Sequence, residues 1–574
     1  MTRASGGVTS GPTESQVSGG NFRNLAVSRK RCAAMMARRY DRRISVFRTV
    51  DFVTPRTLSN LMRIACIVPP LHFPVNEYGH GYLPPLGLLS LAGPLLDQGH
   101  EVVLIDADAG HLLMPEVIQR LREHGAEVAL IGHSGSMVAN PNSLKLCKEL
   151  KAALPEIKTV YGGVYPSYAS QELLSQFPEI DFIVRGEGEI TVTELMSAIV
   201  GGRGFHEVEG LSWRSDGDIV TNPPRAPIQD LDQFRVAWEL LDWKLYRNNH
   251  LPGHIALVQF SRGCPLSCTY CGQWKYWRKW RHRSIARFVD ELEFLEKECD
   301  VSMVWTADEN WGDDPALLHR LLAAIAERGL KLRIFCAMCA KDVVRDKEVL
   351  PLYKRAGIAC LMMGIESFDE DVLKKVRKAN PGGITREAIS LLRRNGILTV
   401  VNVIHGLKDE SWGSILKTTL DLRRAGPDFY NALHLTPLSW TQEGRNVQFD
   451  QIIQLDQSRW DFRKPVIQSR RMSAFQQALA VKLSEVLFYS RPLWILRQLF
   501  LSDPIQRRIA LDGFPRLCRV FLSECAALFR MKFSKPGAAS KDLGRLSLLL
   551  PGRVRANEPG TAAVRAGGIL AEKA

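Results

Sequence analysis

Three cysteines near the middle of the chain are placed to do chemistry: Cys264, Cys268 and Cys271, in Ser261-Arg-Gly-Cys264-Pro-Leu-Ser-Cys268-Thr-Tyr270-Cys271-Gly-Gln-Trp274. Thiolates are the usual ligands of iron–sulfur clusters. Three of them in one short loop can hold three irons of a cubane and leave the fourth iron open. An electron-transfer cluster or a structural zinc site would want a fourth ligand at short spacing. The next cysteine, Cys299, is distant, and the one local histidine, His282, lies in a strongly basic run. The spacing therefore points to a [4Fe-4S] cluster with one open coordination position.

Other residue types gather at apolar-run ends further along. Thr306-Ala-Asp308-Glu309-Asn310, Gly364-Ile365-Glu366-Ser367 and Val403-Ile404-His405-Gly406-Leu407-Lys408-Asp409-Glu410 each place polar groups just after a β-branched stretch. Cys336-Ala-Met-Cys339 has redox spacing, but an odd separation on a strand sends the two side chains to opposite faces, so both are expected to be buried strand cysteines. Cys339, near the strand end, could still face the cavity. Behind the triad, Trp274, Trp277 and Trp280 alternate with Lys and Arg. On a helix they would share one broad face, either as a core stripe or as a platform for a flat, acidic substrate.

The elements that position these residues follow from periodicity. Over 62–200, short apolar runs at 64–68, 101–105, 128–132, 159–161 and 182–184 alternate with amphipathic stretches such as 115–124 and 143–154. That pattern predicts a doubly wound, Rossmann-like parallel sheet of α/β class with its site at the carboxyl ends of the strands. Small and Gly-rich loops fall at those ends: Gly132-His133-Ser134-Gly135-Ser136, Gly162-Gly163-Val164-Tyr165-Pro166 and Arg185-Gly186-Glu187-Gly188-Glu189. From 255 to 445 the alternation resumes with strands at 255–261, 303–306, 332–337, 360–364, 398–404 and 429–435. This is a partial barrel of six βα units, with the cysteine loop after its first strand.

The triad resembles the signature of the radical S-adenosylmethionine (SAM) superfamily. That resemblance implies that the open iron chelates SAM and that Tyr270 lies against the adenine. It further implies that Glu309 holds the SAM amino group, that Glu366 or Ser367 reaches the ribose, and that Ile404, Gly406 and Leu407 flank the adenine through their backbone. Lys408-Asp409 stands where the superfamily usually has Pro-Gly. The loops of the first sheet resemble the cobalamin-binding domain placed before many such enzymes, which implies cobalamin contacts from Ser134, Gly135, Ser136, Gly162, Gly163, Glu187 and Gly188. The cobalt-ligating Asp-x-His-x-x-Gly loop is not matched by Asp106-Ala-Asp108-Ala-Gly110-His111. His111 or His133 could still ligate cobalt, and the plainer alternative is a loop histidine satisfied by solvent or backbone.

The wording Cys271-Gly-Gln-Trp-Lys-Tyr-Trp-Arg278, with the 185–189 loop and Arg345-Asp-Lys347, resembles the anaerobic magnesium-protoporphyrin IX monomethyl ester oxidative cyclase group over about 62–530. The implied activity is oxidative ring closure on a tetrapyrrole. A radical SAM methyltransferase using methylcobalamin is the alternative, and a non-enzymatic iron–sulfur or cobalamin-sensing module is a third. The resemblance also implies a reducing partner such as flavodoxin or ferredoxin.

The organisation expected is a basic extension over 1–60, a cobalamin-binding domain over 61–205, a linker over 206–250, a radical SAM domain over 251–445, a small helical domain over 446–533 and a tail over 534–574. The folded part looks to begin at Met62. With 574 residues, 45% hydrophobic and 24% charged, the composition is that of globular material without a bilayer-length apolar run. The twelve cysteines form no disulfide framework, so a reducing cytoplasm is expected. The net charge of +14 is compatible with an anionic partner or membrane surface, but no nucleic-acid motif accompanies it.

Overall fold

The computed structural model describes residues 61–71, 81–132, 137–201, 204–378, 382–407, 409–500, 503–531, 533, 537 and 542–553. The expected extension over 1–60 and the loop residues His133, Ser134, Gly135, Ser136 and Lys408 lie outside them.

The first sheet forms where fully apolar runs are interrupted by capped amphipathic helices. Its strands are β1 (Arg63–Val68), β2 (Glu101–Asp106), β3 (Val128–Ile131), β4 (Lys158–Gly162), β5 (Phe182–Val184), β6 (Leu211–Ser215) and β7 (Asp218–Thr221), in the order β2-β1-β3-β4-β5-β6-β7. The first five are parallel, and the order reverses at β1, which puts the crevice over the ends of β1 and β3. β6 and β7 run antiparallel and extend the sheet into the region expected to be linker. Asp216-Gly217, both at positive φ, supply the tight turn between them, the Asp-Gly hairpin signal that the sequence does carry. Helix α1 (Leu86–Asp97) covers this sheet, and α2 (Glu189–Ile199) packs against α1.

The second sheet holds six parallel strands. They are β8 (His254–Val258), β11 (Val301–Thr306), β12 (Arg333–Ala337), β13 (Ile358–Glu366), β14 (Leu398–His405) and β15 (Phe429–His434), paired in chain order as an open barrel. Between the first two, β9 (Ser261–Arg262) and β10 (Arg281–His282) form a short antiparallel ladder that closes the cysteine loop. Helix α3 (Ala340–Arg345) follows β12, α4 (Glu370–Lys375) follows β13, and α5 (Trp412–Ala425) follows β14.

The C-terminal region is helical, with α6 (Ala474–Tyr489), α7 (Pro492–Leu499) and α8 (Pro504–Arg530). The expectation of a tail from 534 is corrected over 542–553. Helix α9 (Leu543–Leu549) buries Leu546, Leu549 and Leu550 in the core of the first sheet, together with Trp440, Ile452 and Trp460. The hydroxyl of Tyr165, in the short helix Val164–Tyr168 after β4, donates to the Leu548 carbonyl at 2.7 Å. That stretch reads as Gly, Ala, Ser and basic residues, and its short Leu-rich core is long enough for only two turns of helix, so composition hides it.

Candidate active site

The cysteine loop leaves the end of β8 and is fixed on three sides. Asp308, just past β11, accepts the backbone N–H groups of Phe260 and Ser261 at 3.0 and 2.6 Å and the Ser261 hydroxyl at 2.6 Å. The Thr269 N–H donates to the Val376 carbonyl and the Gln442 N–H donates to the Thr269 carbonyl. The Trp274 indole donates to the Cys268 carbonyl at 3.1 Å. Gly272 permits the tightest approach: a Cβ there would lie 2.1 Å from Nε1 of Trp440, which stacks on Tyr168 of the first domain at 4.9 Å and 5°.

Among the described residues no three His, Cys, Asp or Glu side chains stand in metal-binding geometry. Burial pushes the Cys264 thiol up to about 12 and the Cys271 thiol up to about 11, and raises Cys268 as well. Without metal they are neutral at physiological pH, and binding iron would release their protons.

The polar residues singled out in the sequence converge here. Glu309 sits at the barrel mouth beside Cys271, and among the described residues it has neither a hydrogen bond nor a cation. Burial, and secondarily Asp308, pushes its carboxyl up to about 7. Glu366 ends β13 at a bulge with φ 59, a strained conformation for a residue with a side chain. Its carboxylate pairs with Lys378 at 3.1 Å and faces the Tyr270 hydroxyl, whose pKa is raised by burial and by that carboxylate. Ser367 accepts the Asp369 N–H at 3.1 Å. Tyr270, Ile404 and Leu407 come from distant parts of the chain and pack in one apolar cluster with Val372, Val376 and Leu435. The Gly406 N–H donates to Glu410 at 2.8 Å.

Lys378 was not anticipated. It follows α4 with no motif around it, and the segment that carries it is laid on the cysteine loop through Val376 and Arg377. Burial alone would discharge this lysine, but the Glu366 carboxylate beside it holds it protonated. Cys336 is buried inside β12, whereas Cys339 lies past the strand end, at the start of α3, within electrostatic reach of Lys378 and Cys264.

The tryptophan stripe is corrected. The helix after the triad spans only Gln273–Trp277 and ends at Arg278, whose φ is 60, so Trp280 lies beyond it and the three rings share no face. Trp277 lies under the Arg262 guanidinium at 5.3 Å, and Trp280 lies beside His282.

On the first sheet, Glu187 is enclosed by arginines. It accepts from Arg281 at 2.6 and 3.1 Å, lies 3.5 Å from Arg262, and accepts the Ile228 N–H at 2.9 Å. Arg262 also pairs with Glu189 at 2.6 Å. These ion pairs join the first sheet's loop to the cysteine-bearing loop of the barrel. Gly188 packs on Leu91 of α1, and Gly162 ends β4 near Val184. Gly163, at φ 116, has open space where a Cβ would point, as a close ligand approach requires. His111 is exposed in the turn after β2, edge-on to Tyr82. Tyr246, in the segment expected to be linker, is fully buried and donates to Asp106 at 2.8 Å, tying the segment before the barrel to the first sheet.

Residues 258–422 match the radical SAM superfamily, and residues 75–196 match the B12 binding domain. The anaerobic magnesium-protoporphyrin IX monomethyl ester cyclase of Synechocystis sp. is 39% identical over 448 residues, spanning 78% of this chain and 89% of that protein. The chain belongs to the cobalamin-binding radical SAM superfamily. A second cyclase of the same name, from Rubrivivax gelatinosus, is 30% identical to this radical SAM protein over 421 residues, 72% of this chain and 74% of that one. The solved structure of OxsB, a cobalamin-dependent SAM radical enzyme with aqua-cobalamin and SAM bound, has a TM-score of 0.62 at 15% identity, covering 86% of this chain and 79% of that one. At that identity the likeness speaks to the fold. As a radical SAM enzyme the chain takes a [4Fe-4S] cluster, SAM and cobalamin. Its residues fit them through three thiols in one loop, an unpartnered carboxylate at the barrel mouth and a glycine cradle at the edge of the first sheet.

Proposed function

We propose that this enzyme closes a ring on a tetrapyrrole by oxidation; its Synechocystis relative is named a magnesium-protoporphyrin IX monomethyl ester cyclase. The observation that carries the reading is resemblance along nearly the whole of that relative rather than over the barrel alone.

In this reading Cys264, Cys268 and Cys271 hold the cluster. Glu309 takes the SAM ammonium, because a desolvated carboxylate without a partner is stabilised by an incoming cation. Glu366 and Ser367 hold the ribose hydroxyls, with Lys378 fixing the orientation of Glu366. Tyr270, Ile404, Gly406 and Leu407 form the shelf for the adenine. Gly162 and Gly163 give cobalamin room to approach the backbone, with Gly188 in a neighbouring loop, and the family resemblance adds Ser134, Gly135 and Ser136. Glu187 holds that loop to the barrel. When bound, these groups supply carbon-radical and cobalt chemistry; the protein aligns one C–H bond of the substrate and excludes side reactions. A flavodoxin or ferredoxin supplies electrons, and the enzyme works in the cytoplasm.

The test is anaerobic turnover of the reconstituted protein with magnesium-protoporphyrin IX monomethyl ester and methyl-labelled SAM. Formation of 5′-deoxyadenosine and a ring-closed product without label supports cyclisation. A labelled product with S-adenosylhomocysteine would replace it with methyl transfer. Absence of 5′-deoxyadenosine under every reducing condition would leave only a binding module.

A further inference from the structure

Among the described residues, every strongly exposed large apolar side chain except Leu61 and Leu113 lies at or beyond Trp412. The densest run is on α8. Leu511, Phe514, Cys518, Leu522 and Phe529 are exposed and recur at three- and four-residue intervals, with Pro515 and Ala526 between them. Such spacing puts them on one stripe of the helix. Phe529 is 72% and Leu522 64% exposed.

The orientation of this stripe is fixed from behind. Glu524, on the opposite side of α8, accepts from Arg463 at 2.7 and 2.8 Å and from Lys482 at 2.6 Å, and Val520 and Leu528 are buried. The helix cannot roll its apolar face inward without breaking those pairs. The face also continues past α8. Phe529 touches Phe475 of α6 with ring centroids 5.9 Å apart, and α7, which packs on α8, leads to Phe500 at 80% exposure. On α5, which packs on α6, Trp412, Leu416 and Leu420 are exposed at a spacing of four.

The charges around the stripe have one sign. Arg507, Arg508, Arg519 and Arg530 are exposed, while of the two acids on α8 Asp512 lies 3.5 Å from Arg508 and Glu524 faces inward. No helix among the described residues is long and apolar enough to cross a membrane. An apolar stripe flanked by arginines on a helix that cannot span is the pattern of an element lying in a lipid interface. A second copy of the chain is a poorer occupant: α8 against α8 would bring arginine to arginine, since Asp512 and Glu524, the two acids of the helix, already face basic groups of their own chain.

We propose that α8, together with the adjoining faces of α6 and α7, seats the enzyme on an anionic lipid surface. The partner is the lipid, recognised through buried apolar area and phosphate charge. The surface does not depend on which substrate the barrel mouth takes.

The test is flotation of the full-length, cofactor-loaded protein with phosphatidylcholine vesicles, with and without phosphatidylglycerol. The expected result is binding to the anionic vesicles alone, weakened by salt. Leu522→Glu with Phe529→Glu should lower partitioning by about tenfold or more, and Arg507→Glu with Arg519→Glu should do the same on anionic vesicles. Circular dichroism and iron content should match wild type for both pairs, since all four side chains are exposed. The proposal is overturned if wild type fails to float, or if both pairs float like wild type. It is also overturned if sedimentation shows Leu522→Glu with Phe529→Glu splitting a dimer of the wild type that never binds vesicles.

Discussion

Two carboxylates, Glu309 at the barrel mouth and Glu187 at the edge of the first sheet, follow strands in the same manner and were both expected to touch a cofactor. Their surroundings differ. Glu309 is desolvated with no cation near it among the described residues, and its carboxyl is pushed up to about 7. Glu187 is clasped by Arg281 and Arg262 and caps the Ile228 N–H. An acid left costly by the fold waits for a ligand, whereas an acid already paid for holds two domains together.

Three substitutions sharpen or break that contrast. Cys268→Ala should have the largest effect: loss of the cluster's iron and of its reduced-state EPR signal, with SAM cleavage abolished, because a three-thiolate site has no spare ligand. Retention of both would remove the frame in which Glu309 has meaning. Next, Glu187→Gln should destabilise the protein by about 3–5 kcal/mol, the usual cost of stranding one side of a buried ion pair, seen in denaturant unfolding. SAM affinity of the folded variant should be unchanged; a fall in affinity without a fall in stability would invert the assignment.

Glu309→Gln should behave oppositely. SAM binding should weaken by about 2 kcal/mol, roughly 30-fold, as a charge-assisted hydrogen bond is lost. The ammonium needs the ionised carboxylate, so wild-type affinity should fall as pH drops below about 7, and the Gln variant should lack that slope. Without SAM the sign reverses. A carboxyl with a raised folded-state pKa costs stability as pH rises from the ordinary carboxylate range to about 7, and the substitution should flatten this part of the stability profile. Isothermal titration and thermal melts across that range check both.

Much of the architecture was legible because periodicity and strand-end polarity are local signals. The six barrel strands and the cysteine loop follow from them, whereas the convergence of Tyr270, Glu366, Ile404 and Leu407 was implied by the family resemblance. Pairing partners were not legible. Lys378 belongs to no pattern, and its role depends on Glu366, twelve positions back, and on Cys268, far away in sequence. The Arg281–Glu187 clamp likewise joins residues from two domains. The basic run after the triad invited a substrate reading, yet its Arg281 and Arg283 are spent on Glu187, Asp232 and Glu291, and Arg262, just before the triad, on Glu189. Helix α9 was missed for another reason: its few leucines matter only because an uncovered patch on the first sheet receives them.

The wall that Trp440 builds behind Gly272 has a consequence for how the molecule is made. The loop destined for iron is synthesised early, but the indole that props it, and the Gln442 N–H that pins Thr269, arrive only after the last barrel strand. The same indole rests on Tyr168, and the neighbouring Tyr165 awaits a carbonyl from α9, near the end of the described chain. A chain cut before Trp440 would thus carry Cys264, Cys268 and Cys271 and still lack the side chains that prop their loop. The props of the iron-binding loop are drawn from far downstream of its cysteines.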